Sequence, residues 1–420
     1  MSAPKRRSEI YAAFGTVVEW YDFSLFVYLA PVYSVVFFGD SGGQGLIATF
    51  AVFAITYFAR PIGAIAFGAY GDRHGRRASL TVSALMMAVA LAANAMIPSE
   101  SAIGILAAVL LVLTRLAMGF AVGGEYSGIL VFLVETSSDR WRGFVASWSP
   151  ATSGIGILLA VASSAWLTNS LSADQLQTWG WRLPLVIGAG LALLVLALRR
   201  RIEETEAFTG LADSDDLVES PLRAAFSLGR RPMVIVFAVA LTTGVAYYLN
   251  VTFIPTLLSS YEGVPSGSAL NWSTIAAAAM LVTTPLFGAL ADVLGRRTAC
   301  IGATVLIAVT TVPLFALFGS GTDAALLGAT VALSVIVGAA VAVEASTLPE
   351  QFPSRIRFTA LSIAYNVAVL FAGLTPLMAT VIVELSDSTL APAVWCTVFA
   401  VIGIVACLFL RETARRPLRS

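Results

Sequence analysis

Gly68-Ala69-Tyr70-Gly71-Asp72-Arg73-His74-Gly75-Arg76-Arg77 returns as Gly288-Ala289-Leu290-Ala291-Asp292-Val293-Leu294-Gly295-Arg296-Arg297, with the Gly, Asp, Gly, Arg, Arg positions 220 residues apart. A second echo follows each copy. Glu135, Arg140 and Arg142 match Glu350, Arg355 and Arg357 at an offset of 215. Two ordered matches make chance coincidence a poor account. The chain therefore reads as two halves related by a parallel repeat, an arrangement that places a ligand near the midplane between the halves.

The sequence around these motifs is apolar. Of 420 residues 58% are hydrophobic and 12% charged, and the mean hydropathy is +0.86, whereas soluble domains carry about 25% charged residues. Apolar runs recur from end to end, so the solvent for most of the surface is lipid. A net charge of zero offers no basic field to hold nucleic acid. Cys300, Cys396 and Cys407 have no CxxC spacing and sit in apolar segments, which argues against a disulfide framework, a metal site or any cofactor. Lys5, Arg6 and Arg7 before an apolar run imitate a secretory signal, but Glu19 and Asp22 interrupt that run and no cleavage site follows. It is read as a retained first helix.

A spanning helix needs about 20 largely apolar residues. Twelve such runs are predicted, at 11 to 38, 46 to 70, 79 to 98, 103 to 133, 143 to 168, 182 to 199, 232 to 258, 272 to 293, 298 to 319, 323 to 348, 357 to 385 and 391 to 411. The first, fourth and eleventh are long enough to tilt or to extend beyond the bilayer. Lys and Arg accumulate on cytoplasmic loops. Of the 25 here, Arg60 and Arg115 lie within spans and Arg182 opens the sixth; all the others lie at the termini or in even-numbered turns. Both termini are thus expected in the cytoplasm of a bacterial inner-membrane protein. Trp166, Trp179, Trp181 and Trp272 fit the outer aromatic belt. The domains expected are a six-helix bundle over 1–199, a cytoplasmic linker over 200–231 that includes Asp213, Asp215, Asp216 and Glu219, and a second bundle over 232–420.

At the repeated turns the sequence resembles the major facilitator superfamily, whose inter-helix motif reads G-x-x-x-D-[RK]-x-G-R-[RK]. More narrowly it is similar to the bacterial metabolite:proton symporter family. The likeness rests on Glu19-Trp20-Tyr21-Asp22-Phe23, Phe58-Ala59-Arg60-Pro61-Ile62-Gly63, Arg115 with Gly119, Gly123-Gly124-Glu125-Tyr126, Glu203-Glu204-Thr205 with Phe208, Pro349-Glu350-Gln351-Phe352-Pro353, and Tyr365-Asn366 with Pro376. It implies the twelve-helix, two-bundle fold and transport by alternating access; members carry dicarboxylates, citrate, shikimate, proline or glycine betaine. Met118 stands where the family pattern has Gln, which removes a polar contact near Arg115. The fifth span, with Ser149-Pro150-Ala151-Thr152-Ser153-Gly154, lacks the Gly-Pro-Gly-Gly arrangement of antiporters, which favours symport.

Charges at depth cost at least about 2.5 kcal/mol on insertion scales, so those retained face a cavity or a partner. Glu19 and Asp22 lie three residues apart on neighbouring positions of one helical face and are proton-coupling candidates, with Glu125 closer to the cytoplasm. Arg115 stands roughly 20 Å into the fourth span by helical rise; it and Arg60 are candidates for binding a solute carboxylate or neutralising the acids. Tyr21, Tyr247, Tyr248, Asn250, Tyr365 and Asn366 are candidate solute contacts, and tyrosine faces suit a quaternary ammonium. Glu344 is the one acid well inside a second-half span. It could couple a second proton, bind a cation, or pair with Arg355 or Arg357. A cytoplasmic gate is expected from Asp72, Arg73, Arg76, Glu135 and Arg142 together with Asp292, Arg296, Arg297 and Glu350, since Arg forks match carboxylates and acids favour helix N-termini. His74 is read as a polar loop residue. No HExxH, GxSxG or P-loop pattern supports an enzyme, and midplane charges suit a gated site better than a channel. The expected function is proton-coupled symport of a small organic solute by a monomer. A di- or tricarboxylate is favoured, a zwitterion such as proline or betaine is the alternative, and sodium could replace the proton.

Overall fold

The computed structural model describes residues 11–39, 43–213 and 220–419, and these are almost wholly helical. Lys5, Arg6, Arg7, Asp215, Asp216 and Glu219 lie outside the described residues. Among the described residues eleven helices are long and apolar enough to cross a bilayer: Ile47–His74, Arg76–Met96, Leu106–Thr136, Arg142–Thr168, Ala173–Arg199, Arg230–Ser259, Asn271–Leu294, Arg296–Ser320, Asp323–Glu350, Arg357–Ser386 and Ala391–Leu408. The twelfth is the first in the chain. Tyr11–Tyr28 and Ala30–Phe38 form one span bent by 71°, because Pro31, in the first turn of the second segment, cannot continue the hydrogen-bond ladder of the preceding helix. The all-α, twelve-span expectation is thereby met, and its long first span is a broken one.

Two other deviations have the same cause. The eleventh span divides into Arg357–Ala372 and Thr375–Ser386 ahead of Pro376. In the seventh, Leu249–Phe253 widens into a π-turn just before Pro255, and such turns often mark functional positions. The fourth span stays continuous for 31 residues. That is about 46 Å of helix against a hydrocarbon layer of about 30 Å, so its far end projects beyond the lipid.

Helix pairing repeats between the halves. Span two packs on span four, span one on span five and span three on span six; the counterparts are eight on ten, seven on eleven and nine on twelve. The halves meet where span two packs on span eleven and span eight on span five. The surface presents exposed apolar side chains such as Ile47, Ile62, Val186, Val282 and Leu385, as a lipid-facing bundle requires. Trp166 and Trp179 are exposed as the belt reading expects, but Trp181 is fully buried against Tyr33 and Phe37. It is part of the first-half core, with the Arg182 guanidinium over its ring at 4.2 Å.

Candidate functional site

At the arginine-rich end the two motif copies build almost the same object twice. Gly75 and Gly295 both take left-handed backbone conformations, with φ of 103° and 96°, which a side chain would strain. A Cβ would also strike Glu204 in the first copy and Glu412 in the second. Those two carboxylates close the turns. Glu204 accepts hydrogen bonds from the backbone N–H groups of Arg76 and Arg77 at 3.0 and 3.1 Å, and Glu412 from those of Arg296 and Arg297 at 2.9 and 3.1 Å. Burial raises the Glu412 carboxyl, yet the backbone N–H donors of Ala414, Arg296, Arg297 and Thr413 outweigh it and hold the group below its ordinary value.

From each turn a carboxylate crosses to the other half. Asp72 accepts from the N–H and hydroxyl of Thr359 at 2.8 and 2.7 Å, at the start of span eleven. Asp292 accepts from the N–H groups of Gly143 and Phe144 at 2.7 and 2.9 Å, at the start of span five. Helix N-termini favour negative charge. Gly68 permits the first approach and Gly288 the second, because a Cβ would lie 2.8 Å from the Thr359 Cα or 2.5 Å from the Gly143 carbonyl oxygen. The buried guanidiniums complete both copies. Arg76 bridges Asp72 at 3.2 Å and Glu135 at 3.0 Å; Arg296 bridges Asp292 at 2.8 Å and Glu350 at 3.2 Å. Glu135 then meets Arg357 at 2.6 Å, and Glu350 meets Arg142 at 3.5 Å, each pair joining the halves. Thr205 and Thr413 donate to Glu135 and Glu350 respectively.

This assembly corrects part of the expected gate. The guanidiniums of Arg73 and Arg297 are exposed, and the inner pair Arg76 and Arg296 serves both copies. Arg357, read from sequence as topological or as a partner for Glu344, is instead the first-half acid's partner. Arg355 is exposed. Sequence reasoning also missed Glu412 and Thr413, although Glu204-Thr205 and Glu412-Thr413 are themselves a repeat after spans six and twelve. His74 is exposed and stacks on Tyr70 with centroids 4.4 Å apart.

At mid-depth the halves differ. Asp22 and Arg115 form a two-pronged pair, both contacts 2.7 Å, and Arg60 holds Glu19 at 3.1 Å. Glu19 and Arg60 line two adjoining cavities. One lies between the halves and is walled by Trp20, Tyr126, Tyr247, Tyr248, Tyr365 and Glu344. The other lies within the first half and is lined by Asp22, Arg115 and Met118. The Glu19–Arg60 pair is thus the partition between the acid–arginine fork and the inter-half cavity. Tyr126 and Tyr365 stack across the halves with centroids 5.0 Å apart. Asn366 donates to the Gly123 carbonyl at 2.8 Å and lies 3.5 Å from the Arg60 Nε. Asn250, in the π-turn, donates to Ser334 at 2.8 Å and lines a third cavity toward the opposite end, with Tyr28, Ser153 and Ser273.

Two expected site residues lie elsewhere. Tyr21 packs inside the first half and donates to the Pro184 carbonyl at 2.9 Å. Glu125 is enclosed by Arg199 and Ser83 within the same half, away from the inter-half cavity. Tyr126 and Trp20 were quoted in motifs but not named as contacts; their place among intramembrane charges was the available signal. Among the described residues no group of three or more His, Cys, Asp or Glu side chains forms a metal site.

The family model described as "Sugar (and other) transporter" matches residues 9–220 and again 212–420, once per half. The chain is 35% identical to the glycine betaine/proline/ectoine/pipecolic acid transporter OusA of Dickeya dadantii, over 99% of this chain and 85% of that one. Identity to the proline/betaine transporter of Escherichia coli K12 is 33% over the same shares; the ectoine/proline transporter ProP of Corynebacterium glutamicum matches at 33%, covering 96% of this chain and 83% of its own. In fold it is similar to the xylose symporter XylE bound to 6-bromo-6-deoxy-D-glucose, with a TM-score of 0.83 at 19% identity and coverage of 99% and 98%. Against the partially occluded inward open form of XylE the TM-score is 0.68 at 20% identity, covering 98% and 99%. Matched along its whole length, this chain belongs to the sugar (and other) transporter family of the major facilitator superfamily, and it is a multi-pass membrane transporter rather than an enzyme.

Proposed function

We propose that the protein carries a small zwitterion of the proline and betaine kind together with a proton, with the arginine-rich face and both termini in the cytoplasm. The observation that carries this reading is the Glu19–Arg60 pair on the wall of the inter-half cavity. With Glu19 ionised, Arg60 is neutralised inside the protein. A proton on Glu19 leaves the guanidinium uncompensated in a low-dielectric site, where it recruits the carboxylate of a solute. Proton and solute therefore enter as a set, which is what symport requires. Asp22 and Arg115 lie beside this pair, lining the adjoining cavity within the first half. The relatives named above transport zwitterions, and this favours the alternative over the di- or tricarboxylate that Arg60 and Arg115 alone suggested.

The bonds of Asp72 and Asp292 across the halves support a carrier closed at the arginine-rich face, with the cavity lined by Asn250 and Tyr28 as the approach from the other side. A zwitterion moving with one proton carries one net positive charge, so transport responds to voltage. An inside-negative potential of 100 mV contributes about 2.3 kcal/mol, or about a 50-fold accumulation. In proteoliposomes, labelled glycine betaine and proline should accumulate under an acid-outside gradient and more so with an inside-negative potential. Accumulation driven only by sodium, or only of citrate or succinate, would contradict the proposal.

A further inference from the structure

Eight acids are buried among the described residues: Glu19, Asp22, Asp72, Glu125, Glu135, Asp292, Glu344 and Glu350. Seven of them contact an arginine within 4 Å. Glu344 is the exception. It is 3% exposed, no basic side chain pairs with it among the described residues, and its Oε2 has no hydrogen-bond partner. A carboxylate buried without a counter-charge is costly, and a chain that supplies an arginine to every other buried acid leaves this position for a cation from outside.

The surroundings fit such a cation. Glu344 faces the inter-half cavity from span ten, while Arg60 faces it from span two. Between them stand Trp20 and Tyr247, in edge contact at 5.5 Å, and the stacked Tyr126 and Tyr365. Aromatic faces attract a quaternary ammonium, which has no N–H to donate and must be held by charge and ring contact alone. A secondary ammonium can in addition donate to the carboxylate.

We propose that Glu344 and the rings of Trp20, Tyr126, Tyr247 and Tyr365 form a subsite for the ammonium end of the solute, while Arg60 takes its carboxylate. This rests on the zwitterion reading and deepens it. The solute then spans the two halves with its charges in opposite senses, so a zwitterion draws them together and a dicarboxylate meets a like charge at Glu344. Preference for ammonium over an uncharged group of the same shape is thereby assigned to one residue in the second half, apart from the acids of the first.

The test uses 3,3-dimethylbutyrate, which replaces the trimethylammonium of glycine betaine with an uncharged tert-butyl group of nearly the same shape. Equilibrium binding to the purified full-length protein is measured for both, with labelled betaine as the reporter. The wild type should prefer betaine by about 30-fold or more, the scale of a desolvated charge pair. Glu344→Gln should bring the two ligands to within about threefold of each other, mainly by weakening betaine, and Glu344→Asp should keep a reduced preference. Equal wild-type affinities would overturn the subsite whether or not any variant folds. So would a Glu344→Gln protein that keeps its preference while its uptake loses the response to pH, since that result assigns Glu344 to the proton. A wild type that binds neither betaine nor proline would instead remove the zwitterion reading itself, and the subsite with it.

Discussion

The arginine-rich end and the mid-depth cavity are built on opposite plans. At the end, the two halves repeat the same pairings: Asp72 with Asp292, Arg76 with Arg296, Glu204 with Glu412, each buried acid of the two turns paired with an arginine. In the cavity the halves are chemically unlike, with acid–arginine pairs on the first and a lone carboxylate with tyrosines on the second. A rocking switch needs two equivalent hinged contacts, and symmetry serves it. Recognition of an asymmetric solute needs unlike walls. Under the proposed function, this contrast gives switching to the repeated residues and chemistry to those without a counterpart.

The largest effect that tests this division belongs to the unlike walls. Glu19→Gln should abolish proton-driven accumulation, a loss of about 50-fold on the voltage scale above, while exchange of internal for external betaine persists. Gradient-driven uptake and counterflow measured on the same vesicles separate the two. Normal accumulation in both Glu19→Gln and Asp22→Asn would place coupling elsewhere.

Next comes Arg115→Lys. Lysine keeps the charge but cannot form the two-pronged contact with Asp22, so transport should fall by about tenfold or more, as expected for weakening a buried charge pair. Unchanged kinetics in a well-folded variant would mean that only the charge matters.

At the symmetric end, equality is the prediction. Asp72→Asn and Asp292→Asn should each lower transport by about tenfold through loss of a contact made in one state, with betaine binding retained at altered apparent affinity. Effects that differ by more than about tenfold would break the claim that the copies act alike. Smaller still, Glu204→Gln and Glu412→Gln should each cost about threefold, the scale of weakened charge-assisted hydrogen bonds at a partly exposed site. The sign with pH follows from Glu412, whose folded-state pKa lies below its ordinary one: its clamp is complete above the ordinary carboxylate range and is lost as pH falls through the lowered value. Replacing the exposed guanidinium in Arg297→Ala should change transport by less than about twofold.

How much of this was legible beforehand depended on the residue type. Acids in apolar spans, such as Glu19, Asp22 and Glu344, are conspicuous because nothing but function or a partner accounts for them, and the repeated Asp-Arg turns exposed the two-half fold and the contacts that join its halves. Arginines at helix ends were not informative, since the rule that places positive charge in the cytoplasm accounts for any of them. Arg357 and Arg199 therefore passed as topology although they hold Glu135 and Glu125. Arg73 and Arg297 were credited with the gate that their buried neighbours make. The bend before Pro31 comes from a proline to which hydropathy is blind, and the burial of Trp181 depends on tertiary packing, which hydropathy does not carry.

The division between switching and recognition is tested most directly by distance distributions from spin labels at the arginine-rich ends of spans two and eleven, with a second label pair at the opposite ends. They are recorded for the wild type and for the Asp72→Asn, Asp292→Asn protein at saturating glycine betaine, with betaine affinity measured on the same samples. The arginine-rich ends should move apart, the opposite ends should approach, and the double variant should still bind betaine. Unchanged distributions, or a double variant that keeps its shape but no longer binds, would contradict it.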